Sequence, residues 1–297
     1  LHKTDYAVIV LILIVIGSVG FLEGIVLGLL MSIILFVINY SKVEVIKYEL
    51  SGKTFSSNVE RSSHLKEVLQ DHGDEIYILP LQGFVFFGTA NRLLMQVQSR
   101  QENQNLSKLK YLVFDFRHVT GLDSSAINSF NKLKILAENC GFHILFCGLH
   151  DEMEAQLYIE GIVAEKSSLI RIFQDLDHGL EWCEQHILHC VLPETDGLES
   201  EDKTGSFLHR FSQIADFFET KNCPSGTIMI KQGEDPGGIT FIESGKITVE
   251  LELDTGKKIR LKTLGPGTVV GEVSLYLGSS ASASVIADTD CRVFFLS

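Results

Sequence analysis

Asp123-Ser124-Ser125 places a carboxylate and two hydroxyls directly after an apolar stretch and directly before a run of helical period. Side chains of these types accept hydrogen bonds from the free backbone N–H groups of a starting helix. A serine there is also a place for a phosphate, whose negative charge those N–H groups and the helix dipole favour. Cap and phosphate acceptor are both open readings. Farther along, Cys183, His186, His189 and Cys190 are metal-ligand types within one segment. Helical spacing puts Leu180, Cys183, Ile187 and Cys190 on one face, the pattern of a buried stripe in which cysteine acts as a small hydrophobe. A tetrahedral site draws on ligands converging from separated segments, so no metal site is expected. Glu23 is the one charged residue in a long apolar run, and its place at a turn predicts a solvated carboxylate rather than a transport residue. No stretch pairs carboxylates, sets a nucleophile beside a base or forms a phosphate loop, so enzyme chemistry is not expected.

The elements that position the serines can be read from periodicity. Tyr111, Leu112, Val113, Phe114 and Phe116 form a run with little alternation, predicting a strand covered on both faces in the middle of a sheet. A turn is expected over Val119 to Leu122. A helix follows, with Ala126, Ile127, Phe130, Leu133, Ala137 and Cys140 at helical spacing and Gly141 placed to end it. Ahead of this unit, Lys66 to Gln70 reads as a short helix. Ile76 to Leu79 and Phe84 to Phe87 read as two strands of a hairpin closed near Gln82-Gly83, with Pro80 ending the first. Thr89 is placed to cap a helix whose apolar face is Ala90, Leu93, Leu94 and Val97. Strands at Phe142 to Cys147 and Leu169 to Phe173 and helices at Asp151 to Ile159 and His178 to Cys190 complete an α/β pattern with a mixed sheet.

The chain has 297 residues, is 45% hydrophobic and carries a formal charge of −13. That length predicts two or more domains. A mean hydropathy of +0.19 beside so much negative charge means that apolar residues are concentrated somewhere. They are concentrated at the start: from Tyr6 to Tyr40 only Glu23 is charged. Thirty-five residues exceed one membrane span and barely supply two, since a span needs ~20 residues. The expected form is a tight transmembrane hairpin, Tyr6 to about Val19 and Phe21 to Tyr40, its short first arm packed inside a larger bundle. Gly17, Gly20, Gly24 and Gly28 permit close approach of the helices. A secretory signal is excluded by the length of the run and by Asp5 where a basic cluster would stand. His2 and Lys3 before the hairpin and Lys42, Lys47 and Lys53 after it put both ends on the cytoplasmic side. The acidic balance excludes nucleic acid as a partner. Six cysteines without a CxxC pair fit reduced thiols.

Between Leu192 and Gly205 the chain reads LPETDGLESEDKTG, a solvated acidic linker and a domain boundary. Beyond it Phe207 to Phe218 has a helical period. Strands are expected at Thr227 to Ile230, Ile239 to Glu243, Lys246 to Leu253, Lys258 to Leu264 and Arg292 to Leu296. Turns such as Asp235-Pro236-Gly237-Gly238 and Gly265-Pro266-Gly267 separate them, and even spacing of this kind predicts a small barrel.

The residues VFDFRHVTGLDSSA resemble the central signature of the STAS domain, found in bacterial anti-sigma-factor antagonists and in the cytoplasmic tails of SulP-family anion transporters. The likeness runs from about Glu75 to Cys190. It implies phosphorylation at Ser125, with Asp123 and Ser124 in the motif, although Ala126 stands where the motif usually has glycine. The sequence from His2 to Ser63 is similar to the last membrane hairpin and connector of SulP transporters, and a hairpin directly before a STAS domain is that family's order. From Phe207 to Ser297 the chain closely resembles the cyclic-nucleotide-binding domain. That resemblance implies that Gly271 lets the backbone approach the ligand and that Glu272 accepts from the ribose 2′-hydroxyl. Val273 and Ser274 open a short helix that offers N–H groups to the phosphate. Binding members set an arginine against the cyclic phosphate, and its matching position is Ala281, followed by Ser282. The loss predicts a degenerate barrel; a working cyclic-nucleotide sensor is the competing outcome.

The expected architecture is therefore a transmembrane helical hairpin over residues 1–40 and a connector over 41–74. An α/β STAS domain follows over 75–191, then an acidic linker over 192–205. A cyclic-nucleotide-binding-like barrel of double-stranded jelly-roll type occupies 206–297. Because Leu1 is not a start methionine and one hairpin cannot enclose a transport path, the chain is expected to be the C-terminal regulatory part of an integral membrane anion transporter. Sulfate is the implied substrate, and the barrel, lacking the family's following helices, is expected to be truncated. The expected partners are the membrane, the upstream spans of the same chain, a second copy in a homodimer and a protein at the STAS domain. A membrane-tethered sensor without transport is the alternative.

Overall fold

Alternation of strand and helix does produce an α/β sheet, and the turn-rich stretch that follows does produce a β-rich jelly roll. The computed structural model describes residues 3–41, 45–163, 169–192 and 217–297. The elements of the first part are α1 (Lys3–Ser18), α2 (Phe21–Ser41), β1 (Leu50–Ser51), α3 (Ser63–Asp71), β2 (Ile76–Val85), α4 (Phe87–Glu102), β3 (Tyr111–Leu122), α5 (Ser124–Cys140), β4 (His143–Cys147), α6 (Asp151–Ile159), β5 (Ile170–Phe173) and α7 (Leu176–Val191). The barrel adds β6 (Glu219–Cys223), β7 (Ile228–Ile230), β8 (Ile239–Ser244), β9 (Ile247–Glu252), β10 (Lys258–Leu264), β11 (Val269–Val270), α8 (Glu272–Leu277), β12 (Ser284–Ala287) and β13 (Cys291–Leu296). The acidic linker and all but the end of the helix expected over Phe207 to Phe218 lie outside the described residues. Two compact units result, Leu1–Glu49 with Ile78–Phe173, and Leu50–Tyr77 with Gln174–Ser297.

In the first unit the apolar run forms a helical hairpin that breaks at Val19-Gly20. Its helices approach where glycine leaves room: a Cβ on Gly28 would meet Ile12 Cδ1 at 2.9 Å, and one on Gly24 would overlap Ile16 Cγ1. Leu13, Ile14, Phe21, Leu22, Leu29 and Leu30 are all more than half exposed. Among the described residues no helix is long and apolar enough to cross a membrane. Glu23 is exposed at the start of α2, as a solvated carboxylate should be.

The five-stranded sheet runs β1-β2-β3-β4-β5, which puts β3 in the middle. Its partner β4 is parallel, with Tyr111 opposite His143 and Asp115 opposite Cys147, and β5 is parallel to β4. Residues Tyr111 to Phe116 are all buried. Phe114 meets Phe130 edge-on and stacks on Phe146, each at 5.9 Å between centroids. Phe116 meets Phe146 at 5.7 Å. Pairs of this kind add ~0.5–1.5 kcal/mol each beyond the area they bury. The buried carboxylate of Asp115 is held by the Arg117 guanidinium at 2.8 Å.

Three local expectations are corrected. The hairpin read over Ile76 to Phe87 is one ten-residue strand, β2. Pro80 does not end it because its ladder position needs only an acceptor: its carbonyl takes the Lys47 N–H at 3.0 Å, and Gln82 N–H reaches Val45 O at 2.8 Å. Gly83, at φ +73°, is a local bend and not a reversal. The residues Val119 to Leu122, expected as a turn, continue β3. The helix expected to be capped by Thr89 begins at Phe87, and Thr89 sits inside its first turn, where Oγ1 accepts the Phe86 N–H at 2.9 Å. The predicted apolar face Ala90, Leu93, Leu94 and Val97 is buried as read.

In the second unit α3 is capped by Ser62, whose side chain accepts from Leu65 N–H at 3.4 Å. On α7, Leu180, Cys183 and Ile187 are buried, but Cys190 is exposed near the helix end, so the stripe is one residue shorter than read. The jelly roll comprises two four-stranded sheets, β10-β9-β12-β7 and β11-β8-β13-β6, around Ile242, Ile247, Val285, Ala287 and Val293. Strand β10 falls where it was read. Strands β6, β11 and β12 were not anticipated, since Glu219–Cys223 is polar and the other two are short.

Candidate functional site

At the mouth of α5 the capping residue is Asp123. Its Oδ1 accepts the Ala126 N–H at 2.7 Å, and its own N–H donates to Val85 O at 3.1 Å. Ser125 is half-buried and its hydroxyl donates to both Asp123 oxygens, at 2.7 and 2.8 Å. Ser124 is exposed. The acidic residue therefore takes the cap that the sequence offered to the serines as well, because its carboxylate can serve a backbone N–H and a hydroxyl together. Gly141 ends the helix in the left-handed region at φ +73°, as expected.

The barrel and Glu60 of the connector line an open cavity of about 550 Å³. Gly271, Glu272, Val273 and Ser274 at the start of α8, and Ala281 and Ser282 in the loop before β12, all line it. Gly271 is required at its place: φ is +91°, and a Cβ would come within 2.6 Å of Gly238 O. Ser274 is buried, whereas Glu272 and Val273 are exposed. Ala281 is 6% exposed and fixed by its backbone, its N–H donating to Glu234 O and its carbonyl accepting from Gly233 N–H, both at 2.8 Å. The cavity wall at Ala281 is thus held by two backbone hydrogen bonds and carries no charge.

Two charged lining residues were missed by sequence reasoning. Lys262, on β10, is the one cation among the described residues lining the cavity, and its Nζ lies 2.6 Å from Oε2 of Glu60, which also lines it. Glu60 belongs to the connector, where residues 58–60 run along β10. Glu60 N–H donates to Thr263 O at 2.9 Å, and Thr263 N–H to Asn58 O at 3.0 Å. Strand period inside β10 would set Lys262 on the same face as Arg260, and nothing in the sequence announces the bulge that separates them or joins Lys262 to a residue two hundred positions earlier.

The same connector grips α7. Glu184 is buried and accepts Ser57 N–H at 2.7 Å, the Ser57 hydroxyl at 2.5 Å and Arg61 Nη2 at 3.0 Å, with Arg61 itself 7% exposed. From β10, Arg260 reaches Asp177 and Glu181 on α7, both at 2.5 Å. Burial works against the Arg260 charge, and hydrogen bonds to those two carboxylates more than offset it, raising the pKa. Asp177 also accepts the Asn58 N–H at 2.6 Å. A bulge in β10 between Arg260 and Lys262 sets these two residues on opposite faces: Arg260 pairs with Glu250 and Lys262 with Val249.

The family model described as STAS domain matches residues 67–178, and the one described as cyclic nucleotide-binding domain matches residues 220–297. The chain therefore carries both domains. It is 27% identical over 198 residues to the Vacuolar basic amino acid transporter VSB1 of Saccharomyces cerevisiae, covering 63% of this chain and 18% of that protein. It is 26% identical over 248 residues to Glutaminase 2 of Bradyrhizobium diazoefficiens, covering 82% of this chain and 38% of that protein. The chain thus spans well under half the length of either relative. Among solved structures, the Catabolite Activator Protein of Thermus thermophilus aligns at 27% identity and a TM-score of 0.28, over 30% of this chain and 41% of that one.

Proposed function

We propose that this chain is the membrane-anchored regulatory end of a SulP-type anion transporter, its STAS domain and barrel on the cytoplasmic side adjusting transport. The observation that carries the reading is the α1–α2 hairpin, apolar and widely exposed outside the face where its two helices meet, joined to two regulatory domains. Side chains such as Leu13, Phe21 and Leu29 need a lipid or helical environment, since soluble surfaces do not sustain so large an apolar area. At ~1.5 Å per residue, the 16-residue α1 is about 24 Å long against a ~30 Å hydrocarbon core, which fits a helix packed inside a larger bundle of upstream spans. Two relatives with different printed activities, a transporter and a glutaminase, each share only a part of themselves with this chain. A part common to both is more naturally regulatory than catalytic, which supports a non-enzymatic role. Sulfate is the substrate that the SulP likeness implies; no residue of this chain reads the anion. A tethered sensor is the second reading, favoured by the formed cavity beside Gly271 and Glu272.

Within this reading Ser125 is the switch of the STAS domain, through which a protein partner or a second copy is engaged. The geometry says what a phosphate there must do. The Ala126 N–H that it would seek is taken by Asp123, so a phosphate repels that carboxylate and opens the cap, at ~0.5–2 kcal/mol. In cells making the whole transporter, Ser125→Asp should change the sulfate uptake rate while Ser125→Ala stays near the parent. Equal uptake by parent, Ser125→Asp and Ser125→Ala would leave the serine a helix-start residue only and overturn its regulatory role.

A further inference from the structure

We propose that Lys262 is the anion-binding residue of the barrel cavity and that Glu60 is its built-in competitor, so that an incoming nucleotide phosphate loosens the connector at the barrel edge. The proposal rests on the reading of the barrel as a ligand pocket whose arginine position is occupied by Ala281. Three charged side chains line the cavity, Glu60, Lys262 and Glu272, and two of them are acidic. A cyclic nucleotide carries one negative charge on its phosphodiester, and with no arginine at Ala281 its partner there is Lys262. The bulge in β10 turns Lys262 to the cavity beside Val249 while Arg260 stays with α7.

In this structure the Lys262 ammonium is already spoken for by the Glu60 carboxylate at 2.6 Å. Both side chains are more than a third exposed, and an ion pair so open to water is weakly held. A phosphate within the cavity can therefore displace the carboxylate. Glu60 and Asn58 are also tied to the barrel through the short ladder with Thr263, while Ser57, Asn58 and Arg61 hold α7. Loss of the Glu60 pair thus leaves the connector at the barrel edge on that ladder and the Asn58 side chain alone, with its grip on α7 unchanged, so that occupancy of the cavity loosens the connector locally.

The test is calorimetric titration of the full chain in detergent with cyclic AMP and cyclic GMP, for the parent, Glu60→Gln, Lys262→Gln and Ala281→Arg. Glu60→Gln is expected to tighten binding about twofold to fivefold by removing the competitor. Lys262→Gln should weaken it about tenfold or more. In the parent, amide exchange at Glu60 and Thr263 should accelerate on saturation. If Ala281→Arg binds tightly while Glu60→Gln and Lys262→Gln match the parent, the pocket works without Lys262 and the proposal is overturned. If no variant binds, Ala281→Arg included, both the proposal and the reading of the barrel as a ligand pocket fall.

Discussion

Replacing Ala281 with arginine should tighten the binding of cyclic AMP or cyclic GMP by about tenfold to a hundredfold. A hydrogen bond to a charged group is worth ~1.5–3 kcal/mol, and each 1.4 kcal/mol is a factor of ten. The backbone at 281 is already fixed by Glu234 and Gly233, so the new side chain starts from a defined point on the cavity wall. Gly271 and Glu272 line the same cavity. Calorimetry on the parent and Ala281→Arg reads this directly. Binding as tight in the parent as in the variant would show that the missing arginine is not what limits affinity, contradicting the degenerate-barrel account.

The largest loss of stability is expected for Glu184→Ala. Glu184 accepts from Ser57 and Arg61, and its removal leaves the Arg61 guanidinium, 7% exposed, without its counter-charge. Breaking one side of a buried pair costs ~3–5 kcal/mol, whereas replacing both sides with well-packed apolar residues is often neutral. Glu184→Ala should therefore lower the thermal midpoint by several degrees, and the triple change Glu184→Leu with Arg61→Met and Ser57→Ala should recover part of the loss, the Ser57 backbone N–H still lacking its acceptor. A Glu184→Ala variant as stable as the parent contradicts the assignment of this pair as a buried, charge-balanced contact.

The parts of the fold that were legible share a cause. Tyr111 to Phe116, the α5 face and the Asp123-Ser125 mouth are set by short-range pattern: an unbroken apolar run, a helical period, a capping residue and a closing glycine. The same holds for the cavity residues from Gly271 to Ser282, whose short helix and loop are local. What failed depended on partners remote in sequence. Pro80 reads as a strand breaker until Lys47 and Val45 are seen to ask only for its carbonyl and for the next donor along. Thr89 has the look of a cap, but Phe86 provides the backbone group it serves from inside the helix. Cys190 fits the α7 stripe by spacing, yet the helix end leaves it in solvent. Glu60 and Lys262 are the clearest case: a connector residue and a barrel residue meet through a two-bond ladder that no periodicity announces.

The central claim is that the apolar hairpin holds two regulatory domains at a membrane, and flotation tests it most directly. The full chain and a shortened chain beginning at Val45, which keeps Ser57 and Arg61 for Glu184, are mixed with phospholipid vesicles and centrifuged through a density gradient. The account predicts that the full chain floats with the vesicles and needs detergent to leave them, while the shortened chain stays at the bottom in buffer alone. A full chain that remains at the bottom, soluble without detergent, would contradict it.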